Sequence, residues 1–283
     1  MTTALLIIFA LVLEYIYDPI SSMKNTHVLN VFFDKFQILF ENYISEKYNL
    51  YLLFPISVFA VTTIILFFLG YFLHPLFEFL FNLIILVYCL KPSEFNLMIE
   101  NLRFSLNENK ELKTDDRFKY ILSTQNKESY ESIVDNIFYN STRSIFTVIF
   151  TFLLLGPAGC LGFIVLDNYL YNKHAKIDAQ IKKKLKVIIS IIEYIPIRLS
   201  IFSYAIVADF EVCMKSWNTL KGNSDLYKEN ITFINQVGKD LTSHAIKDNN
   251  FDNRIEYAQT IVARSFLAWL SLLALLIIGG FFL

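Results

Sequence analysis

The sequence predicts an all-α fold: a polytopic helical membrane protein with flanking amphipathic and soluble-facing helices. Three observations predict it. Hydrophobic residues make up 55% of the 283 and aromatic residues 16%, while only 18% are charged; soluble domains usually carry about 25% charged residues. Several stretches are free of charge over the roughly 20 residues that a helix needs to cross a bilayer. Between them, apolar residues recur at helical spacing with polar residues opposite.

Taken in order, the chain opens on "ALLIIFALVL". Ten apolar residues before Glu14 are too few to span alone. Without a basic n-region or a small-residue cleavage site the segment is not a signal peptide. It is expected as a half-buried helix, about 3–17, docked on the other spans. In "VLNVFFDKFQILFENYI", Leu29, Phe32, Phe36, Leu39 and Tyr43 share one face, an amphipathic helix at the membrane surface or over the bundle. Tyr48 to Phe77 carries no charge, and "FPISVFAVTTIILFFLGYFL" at its centre predicts a span over 51–73. His74-Pro75 then forces a turn, because proline disfavours helix at the residue before it. "LFEFLFNLIILVYCL" returns through the membrane over 75–90, with Glu78 near its start.

From Lys91 to Arg143 the chain is polar and holds eight Lys/Arg. Within it, Thr114-Asp115-Asp116 has the form of a helix start, an N-cap followed by acids in the first turn. Charges vanish again over Ser144–Leu166, part of a predicted membrane segment at 144–170 whose middle is "GPAGCLG", Gly156 to Gly162. In "NKHAKIDAQIKKKLKVIISIIEYI", Ile177, Ile181, Leu185, Ile188 and Ile192 form a stripe with lysines opposite. Basic amphipathic helices of this kind rest at membrane interfaces. A further candidate embedded segment is 187–208. Tyr227, Ile231, Ile234, Val237 and Leu241 make another one-sided helix within the polar helical segment 209–259, and 262–283 is the last span. The whole chain, 1–283, is read as one integral membrane domain.

The 144–170 segment has two topologies. Hydropathy favours a single crossing. A turn at Gly156-Pro157 instead places both basic stretches on the cytoplasmic face, as the positive-inside tendency prefers, and re-entrant backbone is tolerated where protein buries it. The balance favours a hairpin or a strongly broken helix.

Several function classes are excluded. Net charge is −1, which offers nucleic acid no attractive field. His27, His74, His174 and His244 are scattered without ligand spacing, so neither a metal nor another cofactor is expected. No nucleotide-binding glycine motif occurs. Gly156-Pro157-Ala158-Gly159 in its apolar setting is a kink or close-packing element. Cys89, Cys160 and Cys213 lack paired spacing and read as small buried hydrophobes. No internal repeat of the transporter kind is evident.

Two places rise above this background. In "EYIPIRLSIFSYAI", Arg198 follows Pro196 inside an apolar run. An intramembrane charge costs roughly 2.5–3.5 kcal/mol on insertion scales and pairs or lines a wet cavity. Pro196 frees a carbonyl near Ile192. Arg198 is expected to point into the protein, with Glu193, Asp135 or Glu131 as partner; the alternative is a guanidinium snorkelling to headgroups from an interfacial helix. The other place is "ESIVDN", where helical geometry sets Glu131 and Asp135, and Ser132 and Asn136, on neighbouring faces.

"ESIVDN", an apolar span, "LLGPAGCLG" and "EYIPIRLSIFSYAI" follow one another in an order and spacing that resembles the CbiB/CobD–AmpE family of bacterial membrane proteins. Pro196, Arg198 and Leu199 are the most specific piece, and "LEYIYDP" (Leu13 to Pro19) is similar to the family's opening, one residue tighter. The resemblance covers 131–206 best. It implies Glu131, Asn136, Gly156, Pro157, Gly159, Pro196 and Arg198 as family-motif residues, with none assigned a catalytic role.

The family's synthase branch joins an aminopropanol unit to adenosylcobyric acid in cobalamin synthesis. It carries Asp-Gly where this chain has Asn140-Ser141, and basic and amide residues where this chain has Phe163-Ile164 and then Asp167-Asn168-Tyr169-Leu170. A polar, phosphate-bearing substrate needs such donors. The departures therefore favour resemblance to the AmpE branch, which implies a multi-pass protein of the bacterial cytoplasmic (inner) membrane. Its role would be regulation linked to β-lactamase induction and cell-wall recycling. The lipid bilayer would be its surroundings, with a membrane or cytoplasmic signalling partner of unknown identity. The synthase is the alternative.

Overall fold

A computed structural model describes residues 2–16, 27–40, 47–72, 74–90, 99–100, 103, 130–171, 177–219, 225–247 and 251–279. Every regular element among them is helical: α1 (Thr2–Ile16), α2 (His27–Phe40), α3 (Lys47–Phe72), α4 (Pro75–Cys89), α5 (Tyr130–Ser141), a π-helical turn (Thr142–Phe146), α6 (Thr147–Tyr171), α7 (Ala179–Val207), α8 (Phe210–Thr219), α9 (Leu226–Ala245) and α10 (Phe251–Ile278). The expected N-cap at Thr114 and the Asp-Pro opening at Asp18-Pro19 lie outside the described residues. Contacts group the chain into two compact units, 1–91 with 148–189 and 92–147 with 190–283.

In the first unit, the charge-free run becomes α3, of which Leu50–Phe72 is 23 residues long and apolar enough to cross a membrane. Only 17% of that stretch is buried in the protein, and Ile56, Ile64, Phe67, Phe68 and Phe72 stand exposed. A surface helix of a water-soluble domain hides its one apolar stripe, and an exposed apolar surface of this length marks a membrane or protein contact. The turn at His74-Pro75 forms as expected. His74 is extended (φ −66°, ψ 141°) and its Nδ1 accepts from the Leu76 N–H at 3.3 Å. Pro75 takes the first helical position, where a missing N–H costs nothing.

Against α4 lies α1, half-buried as predicted: Leu6, Ile7, Ala10 and Leu11 are covered while Leu5, Phe9 and Val12 are exposed. The packed face of α2 differs from expectation. Phe33 is the covered residue, whereas Phe32 and Leu39 are exposed, and Tyr43 lies outside the described residues. The sequence places two phenylalanines side by side, and partners distant in sequence select between them: Phe33 sits 5.1 Å from Tyr51, 5.4 Å from Phe54 and 5.0 Å from Tyr169, ring centre to ring centre.

The stretch Asn136–Leu170 is also long and apolar enough to cross, but 61% of its apolar 18-residue window is buried inside the protein and it is not one straight rod. Gly156 has φ 65° and ψ −161°, a conformation open to glycine and strained for other residues. Pro157 follows at what is in effect the first position of a new helix. This is the strongly broken helix expected at Gly156-Pro157. At Gly159 a Cβ would overlap Leu155 Cβ across the break, so the small residue permits the close approach.

In the second unit α5 packs on α9 and α10, and α8 on α9. The predicted stripe of α9 is fully realised: Tyr227, Ile231, Ile234, Val237 and Leu241 are all buried. Its start is set by Asp225, which accepts from the Tyr227 and Lys228 N–H groups and satisfies two of the helix's orphan donors. The N-terminal part of α7 belongs to the first unit; there the stripe holds at Ile181 and Leu185 and continues through Ile189, with Ile188 only half-buried. All three cysteines are free and buried, as expected.

Arg103 grips the start of α10 by a two-pronged bond to Asp252, Nε to Oδ1 at 2.6 Å and Nη2 to Oδ2 at 3.0 Å, and reaches Glu256 at 3.2 Å. The Arg103 hydrogen bond holds the Asp252 carboxyl below its ordinary value of 3.8. A carboxyl lowered in the folded state stabilises above its unfolded value and loses that contribution as pH falls through the folded one. Stability should therefore decline once pH drops below about 3.8, and Asp252→Asn should flatten that part of the profile. An unchanged slope in acid denaturation of the variant would contradict this.

Candidate functional site

Within the second unit, α7 divides its residues by face. Ser190, Glu193, Ile197, Ser200, Ile201 and Tyr204 are buried, and apolar residues line the opposite side. The spacing is that of one helical face. Charged and hydroxyl groups are turned inward, an arrangement that water-soluble helices reverse.

Glu193, 1% exposed, does not meet Arg198 as expected. Its Oε1 lies 3.5 Å from Arg143 Nε, and its Oε2 accepts from Tyr139 Oη at 3.0 Å. Arg143, itself 2% exposed, donates through Nη1 to the same tyrosine hydroxyl at 3.1 Å. The three side chains close a buried ring of hydrogen bonds and opposite charge. Arg143 sits on the π-helical turn Thr142–Phe146, and such turns insert a residue and re-aim the side chains around it. Sequence reasoning missed Arg143 because it stands at the junction of a polar segment and a span, where it reads as the last of the solvent-facing cations. A signal was present: Tyr139 and Arg143 are four apart and share a helical face.

Arg198 points into the protein as predicted, onto different partners. Nη1 donates to the Tyr194 carbonyl at 3.1 Å and to Asn230 Oδ1 at 2.8 Å, and Nη2 to Glu229 Oε1 at 3.1 Å. The guanidinium lies over the Tyr194 ring, 3.4 Å from its centre, where the quadrupole favours a cation. Asn230 in turn donates to the Ser190 carbonyl at 2.8 Å. The carbonyl that meets the arginine is that of Tyr194, one turn back on α7, and not the one near Ile192 expected from Pro196; α9 supplies the carboxylate. Glu193 is excluded as its partner because Arg143 and Tyr139 already hold it. The side chains of Glu131, Ser132 and Asp135 lie outside the described residues.

Asn136 is fully buried and its Oδ1 accepts from Asn235 Nδ2 at 3.0 Å. Trp269 donates to Ser203 Oγ at 2.6 Å, and Thr142 bonds Tyr204 at 3.2 Å. Asn136, Pro196 and Arg198 thus belong to one compact unit, whereas Gly156, Pro157 and Gly159 belong to the other and form its helix break. Phe163 and Ile164, at the positions where the resemblance led one to expect a synthase's basic donors, are buried. Among the described residues no group of three or more His, Cys, Asp or Glu could hold a metal ion. No protein-family model, curated protein or solved structure matches the chain.

Proposed function

We propose that the chain is a multi-pass protein of the bacterial inner membrane that acts in regulation, of the AmpE kind, and not as a cobinamide-type synthase. The observation that carries this reading is the engagement of Arg198. A synthase needs its signature arginine and amide free to meet a phosphate-bearing substrate. Here Arg198 is held by Glu229, Asn230 and the Tyr194 carbonyl, and Asn136 by Asn235. The exposed apolar length of α3 supports the membrane part. Its partner would be a membrane or cytoplasmic signalling protein, met through the helices that face water.

The test is complementation. Expressed at normal level in a bacterium lacking the synthase, this chain should fail to restore growth that depends on cobalamin made through that step. Restored growth would overturn the reading in favour of the enzyme.

A further inference from the structure

Two helical stretches among the described residues are long and apolar enough overall to cross a membrane, and α7, which covers the candidate segment 187–208, is neither of them. Glu193, Arg198 and a lysine run dilute it. The structure removes the first two from consideration, because Glu193 is buried and Arg198 is folded onto Glu229 and Asn230. What α7 shows to the outside is a continuous apolar stripe of Val187, Ile191, Ile195, Leu199, Phe202 and Ile206, each 40% exposed or more. These follow at intervals of four, four, four, three and four residues, one face of a single helix. At 1.5 Å per residue the stripe is about 28 Å long, close to the roughly 30 Å of a bilayer's hydrocarbon core.

Both ends of the stripe change character abruptly. Three to five residues before Val187 stand Lys182, Lys183 and Lys184, all exposed, which puts their Cα atoms about 5–8 Å beyond the apolar edge along the helix. Just past Ile206 come Asp209 and the exposed Phe210. A cationic collar, a hydrocarbon-length stripe and an acid-plus-aromatic end match the layers of a membrane with an anionic cytoplasmic leaflet.

We infer that α7 is a lipid-facing transmembrane helix whose lysine collar recognises the anionic headgroups of the cytoplasmic leaflet. The inference rests on the membrane reading above and adds a specific surface and lipid class. It also gives the pairing of Arg198 with Glu229 and Asn230 a role: it lets the helix carry a charge across the membrane without showing it to lipid.

The test uses the full chain in bilayer nanodiscs, with single cysteines labelled by an environment-sensitive fluorophore; the native thiols are buried and escape labelling of the folded protein. Labels at Leu199→Cys in α7 and Ile64→Cys in α3 should both be quenched by acyl-chain nitroxides and protected from a water-soluble quencher. A lipid-quenched α3 label with a water-quenched α7 label would overturn this inference and leave the membrane reading standing; water quenching at both would overturn the two together. The collar is tested by adding phosphatidylglycerol to phosphatidylcholine discs. Lys182→Gln/Lys183→Gln/Lys184→Gln should reduce the preference for phosphatidylglycerol by ~tenfold or more. An unchanged preference would overturn the collar.

Discussion

An Arg143→Ala chain is expected to lose about 3–5 kcal/mol of stability in detergent micelles, the range for removing one partner of a buried ion pair. Arg143 and Glu193 are 2% and 1% exposed and share the Tyr139 hydroxyl. Truncating the arginine leaves a carboxylate in a medium that cannot solvate it, and the same holds for Glu193→Ala with the signs reversed. Replacing both by apolar residues of similar size, Arg143→Met with Glu193→Leu, should recover most of the loss, because the desolvation of two ions disappears with their attraction. Denaturant titration of the four chains decides the matter. Two near-neutral single variants would show that the pair is not insulated from water.

Gly238→Ala should also be destabilising, although alanine is the better helix former by about 0.8–1.0 kcal/mol. A Cβ at this position would overlap the Phe138 ring, with Cε2 and Cγ at 2.7 Å and a third ring carbon closer still. Phe138 is fully buried between α5 and its neighbours, so the ring has nowhere to move and overpacking of about 1–3 kcal/mol wins over propensity. Shortening the obstacle with Phe138→Leu in the Gly238→Ala background should restore part of the stability. A Gly238→Ala chain more stable than wild type would mean that the α5–α9 contact is looser than described.

The helical class and the burial of α9 were legible because they depend on periodicity, which a chain displays in its own residues. Tyr227 to Leu241 bury as a single stripe with no competing face. The break at Gly156-Pro157 was legible for a local reason too: a glycine able to take φ 65° precedes a proline suited to a first helical turn. Choices between adjacent residues were not legible. Phe32 and Phe33 are chemically equal, and Tyr51, Phe54 and Tyr169 choose between them from elsewhere in the chain. Pairing was the least legible of all. Arg198 could be assigned an acceptor from the cost of its burial, but Glu229 and Asn230 lie 31 and 32 residues further on. Glu193, the nearer candidate, belongs to an arginine that the sequence presents as an end-of-loop cation.

If the charges of these helices are satisfied inside the protein and not reserved for a substrate, Arg198 and Glu229 must be coupled energetically, and a double-mutant cycle between them measures that coupling. With side chains 14% and 26% exposed at 3.1 Å, Arg198→Ala and Glu229→Ala should each destabilise the chain. Their combination should cost less than the sum, by a coupling of about 0.5–3 kcal/mol. Strictly additive losses, or an Arg198→Ala chain as stable as wild type, would show that the pair is not coupled and return the arginine to the role of a free functional group.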